Sequence, residues 1–141
     1  MEQLQKVKYL VIHHSGNSDT LEKIRNLHVN INGWEDIGYH WLIDREGKVL
    51  KGRDEGFMGA HVLGYNKNSI GICMIGNFDI EKPSKNQINS LILVLKELMQ
   101  KYDINAKGII GHREFPDITK ACPGKFISLN YIREELKTSS S

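Results

Sequence analysis

Cysteine is scarce in this 141-residue chain, which carries only Cys73 and Cys122. Two thiols cannot build the disulfide framework of a small secreted domain, and they fit synthesis in a reducing compartment. Long apolar runs are missing too. The N-terminal segment offers only the short run Tyr9 to His13, too short for a signal-peptide core, and nothing approaches the roughly 20 residues of a membrane span. The expectation is a protein made in the cytoplasm without an export signal and without membrane insertion. Charge of one sign is nearly balanced: 19 Lys and Arg against 17 Asp and Glu leave a formal +2. With no basic block, nucleic acid is not an expected partner. Repeats and Pro/Gly/Ser linkers are also absent. The chain therefore reads as one domain, 1–141, with a core over about 7–136 and a disordered tail at 137–141.

What is present is an ordinary globular mixture, 40% hydrophobic and 26% charged. A chain of this length can bury roughly two-thirds of its unfolded surface without staples. Val7 to His13 alternates as a strand with apolar residues on both faces, the pattern of a sheet covered on both sides. Asp19-Thr-Leu-Glu22 has the form of a capping box opening a helix to about Val29. Tyr39–Asp44 and Lys48–Lys51 read as strands joined by a hairpin in which Gly47 supplies positive φ. Ser69–Ile75 suits a buried strand. Ser84-Lys-Asn-Gln87 is a second capping box, and Ile88, Leu91, Ile92, Leu95, Leu98, Met99 and Tyr102 then follow the helical period. Lys107–Gly111 reads as a strand and Leu129–Leu136 as a closing helix. Alternating strands and helices give the α/β class, a single domain with a central sheet flanked by helices.

Compact chemical motifs are missing: no HExxH, no CxxC pair and no phosphate-cradling glycine loop. The candidates are scattered instead. His13-His14 closes the first strand, where α/β sheets place active groups, although one core and one surface histidine explain the pair as well. In GHREFPDITKACPG, residues 111–124, a histidine and a cysteine joined by a loop could converge on one zinc ion. A surface loop with a half-buried cysteine is the equal alternative. Tyr39 could donate to a developing oxyanion or simply pack between Ile37 and Trp41. His61 sits in a Gly/Asn-rich loop, as a substrate contact or as a solvated side chain. His28, near the end of the first helix, is given no function.

Taken together, the segments VIHHSG, GWEDIGYHWLIDREGKVLKGRDE, GAHVLGYNKNSIGICMIGNF, GHRE and KACPG occur in the order found in one family. From about Val7 to Leu136 the chain resembles the N-acetylmuramoyl-L-alanine amidases that include the phage T7-type lysozyme, with the peptidoglycan recognition proteins as more distant kin. The resemblance implies a mixed sheet flanked by helices, and one zinc ion held by His13, His112 and Cys122. It places Tyr39 and Lys120 at the catalytic positions, Tyr39 assisting proton transfer and Lys120 facing the oxyanion. His61, with His40 and Asn68, falls on the substrate-binding side. The implied substrate is peptidoglycan or its muropeptide fragments, cut between N-acetylmuramic acid and L-alanine. The implied setting is a monomeric phage or prophage endolysin acting on the wall after release.

One departure matters. Some branches of the family, including muropeptide-recycling enzymes, carry a glutamate where this chain has Cys73, which makes a recycling role a poorer fit. Two other readings compete with the enzyme. A non-catalytic peptidoglycan-binding module is the first, but such relatives have usually lost the ligand cysteine that Cys122 supplies here. A structural zinc domain is the second. It needs a fourth protein ligand, and His14, on the opposite side of the strand from His13, is the nearest candidate.

Overall fold

The computed structural model describes residues 1–17, 20–115 and 122–139, with side chains through Lys137. Strand β1 (Tyr9–His14) lies at the heart of a five-stranded mixed sheet. Helix α1 (Leu21–Asn26) follows, capped by Thr20, whose hydroxyl accepts from the Lys23 N–H at 3.3 Å. The cap is thus Thr20 and not Asp19, which is outside the described residues. Helical winding continues through 27–31 in a wider turn, with the Asn32 N–H donating to the Leu27 carbonyl.

β2 (Trp41–Ile43) and β3 (Val49–Lys51) form the expected hairpin, and both are shorter than their sequence pattern. Gly47 turns the chain at φ +90°, and Asp44 Oδ1 accepts from the amides of Glu46 and Lys48. Tyr39 and His40 lie just before β2 and lead into it. β4 (Ser69–Met74) is buried at every position, as its apolar run requires.

α2 (Lys85–Tyr102) starts at Ser84, whose hydroxyl accepts from the Gln87 N–H. The reciprocal half of the expected capping box is replaced. The Gln87 side chain turns into the core and bonds two strand carbonyls. β5 (Ile109–Gly111) begins two residues later than the pattern suggests, because 106–108 make a tight helical turn capped by Asn105. α3 (Leu129–Ser139) runs beyond Leu136 and takes up much of the expected tail.

The strand order is β3-β2-β4-β1-β5, with every pair parallel except β2–β3. Both faces are covered, for different purposes. Leu10, Ile12, Ile43, Ile70, Ile72, Met74 and Ile109 pack with Leu91, Leu95 and Leu98 of α2 and with Ile132 and Leu136 of α3. Fully burying each such side chain contributes roughly 1.5–3 kcal/mol, so this layer anchors the sheet. On the other face, Leu42 and Cys73 meet Ile24 and Ile37, and Val11 meets Val62 and Phe115. His13 shares the parity of Val11 and sits beside Cys73 in the register, on this second face. The thick helical layer on one side leaves the other to loops, and loops can form a cleft.

Candidate metal centre

His13 is held rigidly because it belongs to the central strand and is almost wholly buried. His112 comes to it from the neighbouring strand. Ile12 pairs with Gly111, so the residue after β5 emerges next to His13, and the two rings lie 4.7 Å apart. Glu114 secures that corner: its Oε1 accepts from the Gly111 N–H at 2.8 Å and pairs with Arg133 of α3.

Cys122 comes ten positions after His112. Arg113 fixes it in place. The Arg113 N–H donates to the Cys122 carbonyl at 2.8 Å, and its guanidinium donates to the carbonyls of Gly124 and Ile127. The Cys122 Sγ lies 3.7 Å from His13 Nδ1 and 3.4 Å from the His14 amide N, which donates to it. One ligand atom from each of His13, His112 and Cys122 lies within 4.8 Å of the others.

These residues fit zinc. Bonds of about 2.3 Å to sulfur and 2.0–2.1 Å to nitrogen in a tetrahedron put sulfur and nitrogen roughly 3.6 Å apart, close to the separation seen. Two imidazoles and a thiolate are a normal zinc donor set, and three protein ligands leave a fourth position for water or substrate. His14 does not complete the set. Its Nδ1 accepts from the Phe78 N–H at 3.2 Å.

The three side chains open onto a cleft of about 740 Å³ lined by His28, Trp34, Tyr39, His61, Leu63 and Asn66, among others. Tyr39 stands 5.2 Å from the His13 ring and 5.7 Å from His28, and His28 lies 4.6 Å from Trp34, forming one aromatic wall. Buried Arg53 positions this wall. Its guanidinium donates to the carbonyls of Ile37, Met58 and Asp36, and its N–H to the Tyr39 carbonyl. Burial, then the neighbouring Cys73 and Cys122, pushes the Tyr39 phenol well above its usual range. It is therefore a neutral donor at ordinary pH. Burial likewise holds His13 and His61 well below the usual histidine value, reinforced for each by nearby histidines. Both rings are neutral, as a ligand histidine must be.

The profile of the N-acetylmuramoyl-L-alanine amidase family matches residues 3–125. The chain belongs to this family. The endolysin of Escherichia phage T7 is 38% identical over 124 residues, covering 84% of this chain and 79% of the phage protein. The N-acetylmuramoyl-L-alanine amidase LysC from Clostridium intestinale superposes with a TM-score of 0.87 at 33% identity, covering 94% of this chain and 86% of that one. The peptidoglycan recognition proteins LCa and LCx, solved as an ectodomain complex with tracheal cytotoxin, give a TM-score of 0.82 at 28% identity, over 94% and 85% of the two chains.

The amidase fold brings His13, His112, Cys122 and Tyr39 together. Lys120 lies outside the described residues. The three expected substrate contacts fare differently. His61 lines the cleft, but both ring nitrogens already have partners: Nδ1 lies 2.9 Å from His13 Nε2, and Nε2 lies 3.3 Å from Ser69 Oγ. His40 is wholly buried. Its Nε2 lies 2.8 Å from the Phe57 carbonyl and its Nδ1 accepts from the Gly71 N–H, so it ties β4 to the 53–57 loop and has nothing to offer a ligand. Asn68 spends its amide on the Lys6 carbonyl, away from the cleft, and it is Asn66 that reaches the rim. Asn66, Arg53 and Arg113 were not singled out by sequence. An asparagine in a Gly-rich loop hinted at the first, but Arg53 and Arg113 stand among charged and polar neighbours and carry no such signal.

Proposed function

We propose that this chain is a zinc-dependent hydrolase that cuts the amide between the lactyl group of N-acetylmuramic acid and L-alanine, in the manner of a phage or prophage endolysin. Membership of the family supports the peptidoglycan amidase class. The observation that carries the zinc reading is the convergence of His13 Nδ1, His112 and Cys122 Sγ within 4.8 Å at an open cleft.

A zinc ion held by these three side chains would supply a hydroxide nucleophile near neutral pH and polarise the scissile carbonyl. The chain's own groups do the remainder. The aromatic wall of Trp34, His28 and Tyr39 excludes water on one side of the cleft and orients the substrate. The neutral Tyr39 hydroxyl donates a hydrogen bond where negative charge develops, which is worth most in a partly desolvated site. Lys120 is assigned the positive charge that faces the oxyanion on the strength of the resemblance alone, and the proton released by the attacking water passes, with Tyr39 assisting, to the departing alanine amine. Two neutral imidazoles and one thiolate leave the loaded site about +1, still favourable to an anionic transition state. Both intact wall and soluble muropeptides present this bond.

Zinc content by elemental analysis, paired with digestion of peptidoglycan, tests the reading. The expected result is one zinc per chain and new L-alanine amino termini that vanish on chelation and return with zinc. Zinc without cleavage would transfer the protein to the binding-module class. No zinc and no cleavage would overturn the site.

A further inference from the structure

Behind the ligand His13 lies a chain of hydrogen bonds that runs away from the cleft. A metal-binding imidazole must be neutral, with its proton on the nitrogen that does not face the metal. For His13 the metal side is Nδ1, 3.7 Å from Cys122 Sγ, and the far side is Nε2, 2.9 Å from His61 Nδ1. Two neutral rings joined this way share one proton between the facing nitrogens. Either ring could hold it, and the next contact decides.

His61 Nε2 lies 3.3 Å from the hydroxyl of Ser69, which is wholly buried in β4. That hydroxyl has one hydrogen, and the Tyr65 carbonyl, 2.9 Å away, can only accept. With the Ser69 proton on Tyr65, Ser69 Oγ must accept from His61 Nε2–H. His61 Nδ1 is then unprotonated, and His13 must donate to it through Nε2–H. The lone pair left on His13 is Nδ1, aimed at the metal position.

The slot around His61 is built to hold this arrangement. A Cβ on Gly71 would come within 2.6 Å of the His61 ring, and one on Gly59 within 2.7 Å, so any side chain at either place would displace it. The backbone is pinned as well, because Asn66 Oδ1 accepts from the amides of His61 and Val62.

We propose that Ser69 and His61 are positioning residues that set the tautomer of His13 and so present its Nδ1 to the metal. His61 is in this account a support for the ligand and makes no substrate contact through its ring nitrogens. The proposal rests on His13 being a metal ligand.

Ring-nitrogen NMR of ¹⁵N-labelled, metal-free protein reads the tautomer directly. Cobalt(II) titration, followed by thiolate-to-metal absorption, reads the consequence. In the wild type, His13 and His61 should both carry their proton on Nε2. His61→Phe keeps a flat ring but removes the acceptor. It should release His13 to a tautomer mixture and weaken cobalt binding by roughly 10- to 100-fold, the usual effect of losing a ligand's supporting partner. Ser69→Ala should mix the His61 tautomers and weaken binding more mildly, and Ser69→Thr, which keeps the hydroxyl, should restore it. Should His61→Phe fail to fold by circular dichroism, the Ser69 pair carries the test. Protonation of wild-type His13 on Nδ1 overturns the proposal. Unchanged tautomers and cobalt affinity in the folded variants do so too. Wild-type protein that takes up no metal overturns the ligand assignment itself, a different failure from metal uptake that ignores the relay.

Discussion

Gln87 of α2 bridges the ends of β2 and β4, donating through Nε2 to the carbonyls of Ile43 at 3.1 Å and Ile75 at 3.0 Å. It is almost wholly buried. The helix start is thereby tied to both strands, and an amide in an apolar layer gives the Ile75 carbonyl a partner and the Ile43 carbonyl a second donor beside the Ile75 N–H. Replacing Gln87 by Ala strands the Ile75 carbonyl at roughly 1–3 kcal/mol, less whatever water recovers, while the Ile43 carbonyl keeps the Ile75 N–H at 2.9 Å. Urea denaturation should show a loss of about 1–3 kcal/mol. A loss below about 0.5 kcal/mol would mean that the bridge contributes nothing net.

Cys122→Ser replaces the thiolate with a hydroxyl that stays protonated at neutral pH and binds zinc poorly. The folded variant should retain well under a tenth of the wild-type zinc after dialysis and lose lytic activity in proportion. Full zinc retention would remove Cys122 from the ligand set.

Tyr39→Phe removes a donor and keeps the ring in the aromatic wall. The expected outcome is a fall in kcat on the order of 10²-fold, with KM and zinc content little changed, as when a single oxyanion donor is lost. Unaltered kcat in a zinc-replete variant would confine Tyr39 to a packing role.

Lys120→Ala should also depress kcat, by about 10²- to 10³-fold, without loss of the metal. Equal activity would withdraw the role taken from the family resemblance.

Acid should destabilise the metal-free fold earlier than carboxylates alone would dictate. Burial lowers the pKa of His28, with Arg53 adding to it, and lowers that of His40, where the Phe57 carbonyl opposes it only in part. The unfolded chain takes up these protons near the ordinary value of about 6.5, while the fold resists them to lower pH. Stability is therefore complete above about pH 6.5 and declines as pH falls through the folded values. Thermal melts in chelator at about pH 7.5 and about pH 5 should show a clear drop in midpoint. A flat response over that window would contradict the burial argument.

Periodicity and capping residues made most of the fold legible. The alternation around Val11 and the stripe on α2 report burial directly, and burial is what orders these elements. Strand ends were read too long because 106–108 wind into a capped turn, and because 39–40 meet 52–53 through backbone bonds that do not continue the regular ladder. The reciprocal cap at Gln87 failed for a tertiary reason: two buried carbonyls, distant in sequence, outbid the local amide. The residues alone offered His13 and the His112–Cys122 segment as separate candidates, and only the resemblance joined them, since a site drawn from two distant segments has no local spacing. His40, at the opening of an expected strand, and His61, in a loop, were both placed on the substrate-binding side by the resemblance. Their difference lies in which carbonyl, hydroxyl or ring each meets, and only the folded chain brings those partners near.

His13 and Cys122 stand 109 positions apart and yet touch. His112 and Cys122 follow β5, whereas His13 belongs to β1. A chain cut before residue 112 would keep all five strands and the aromatic wall but only one of the three converging side chains. The cluster is thus assembled only once the sheet that carries it is complete in sequence.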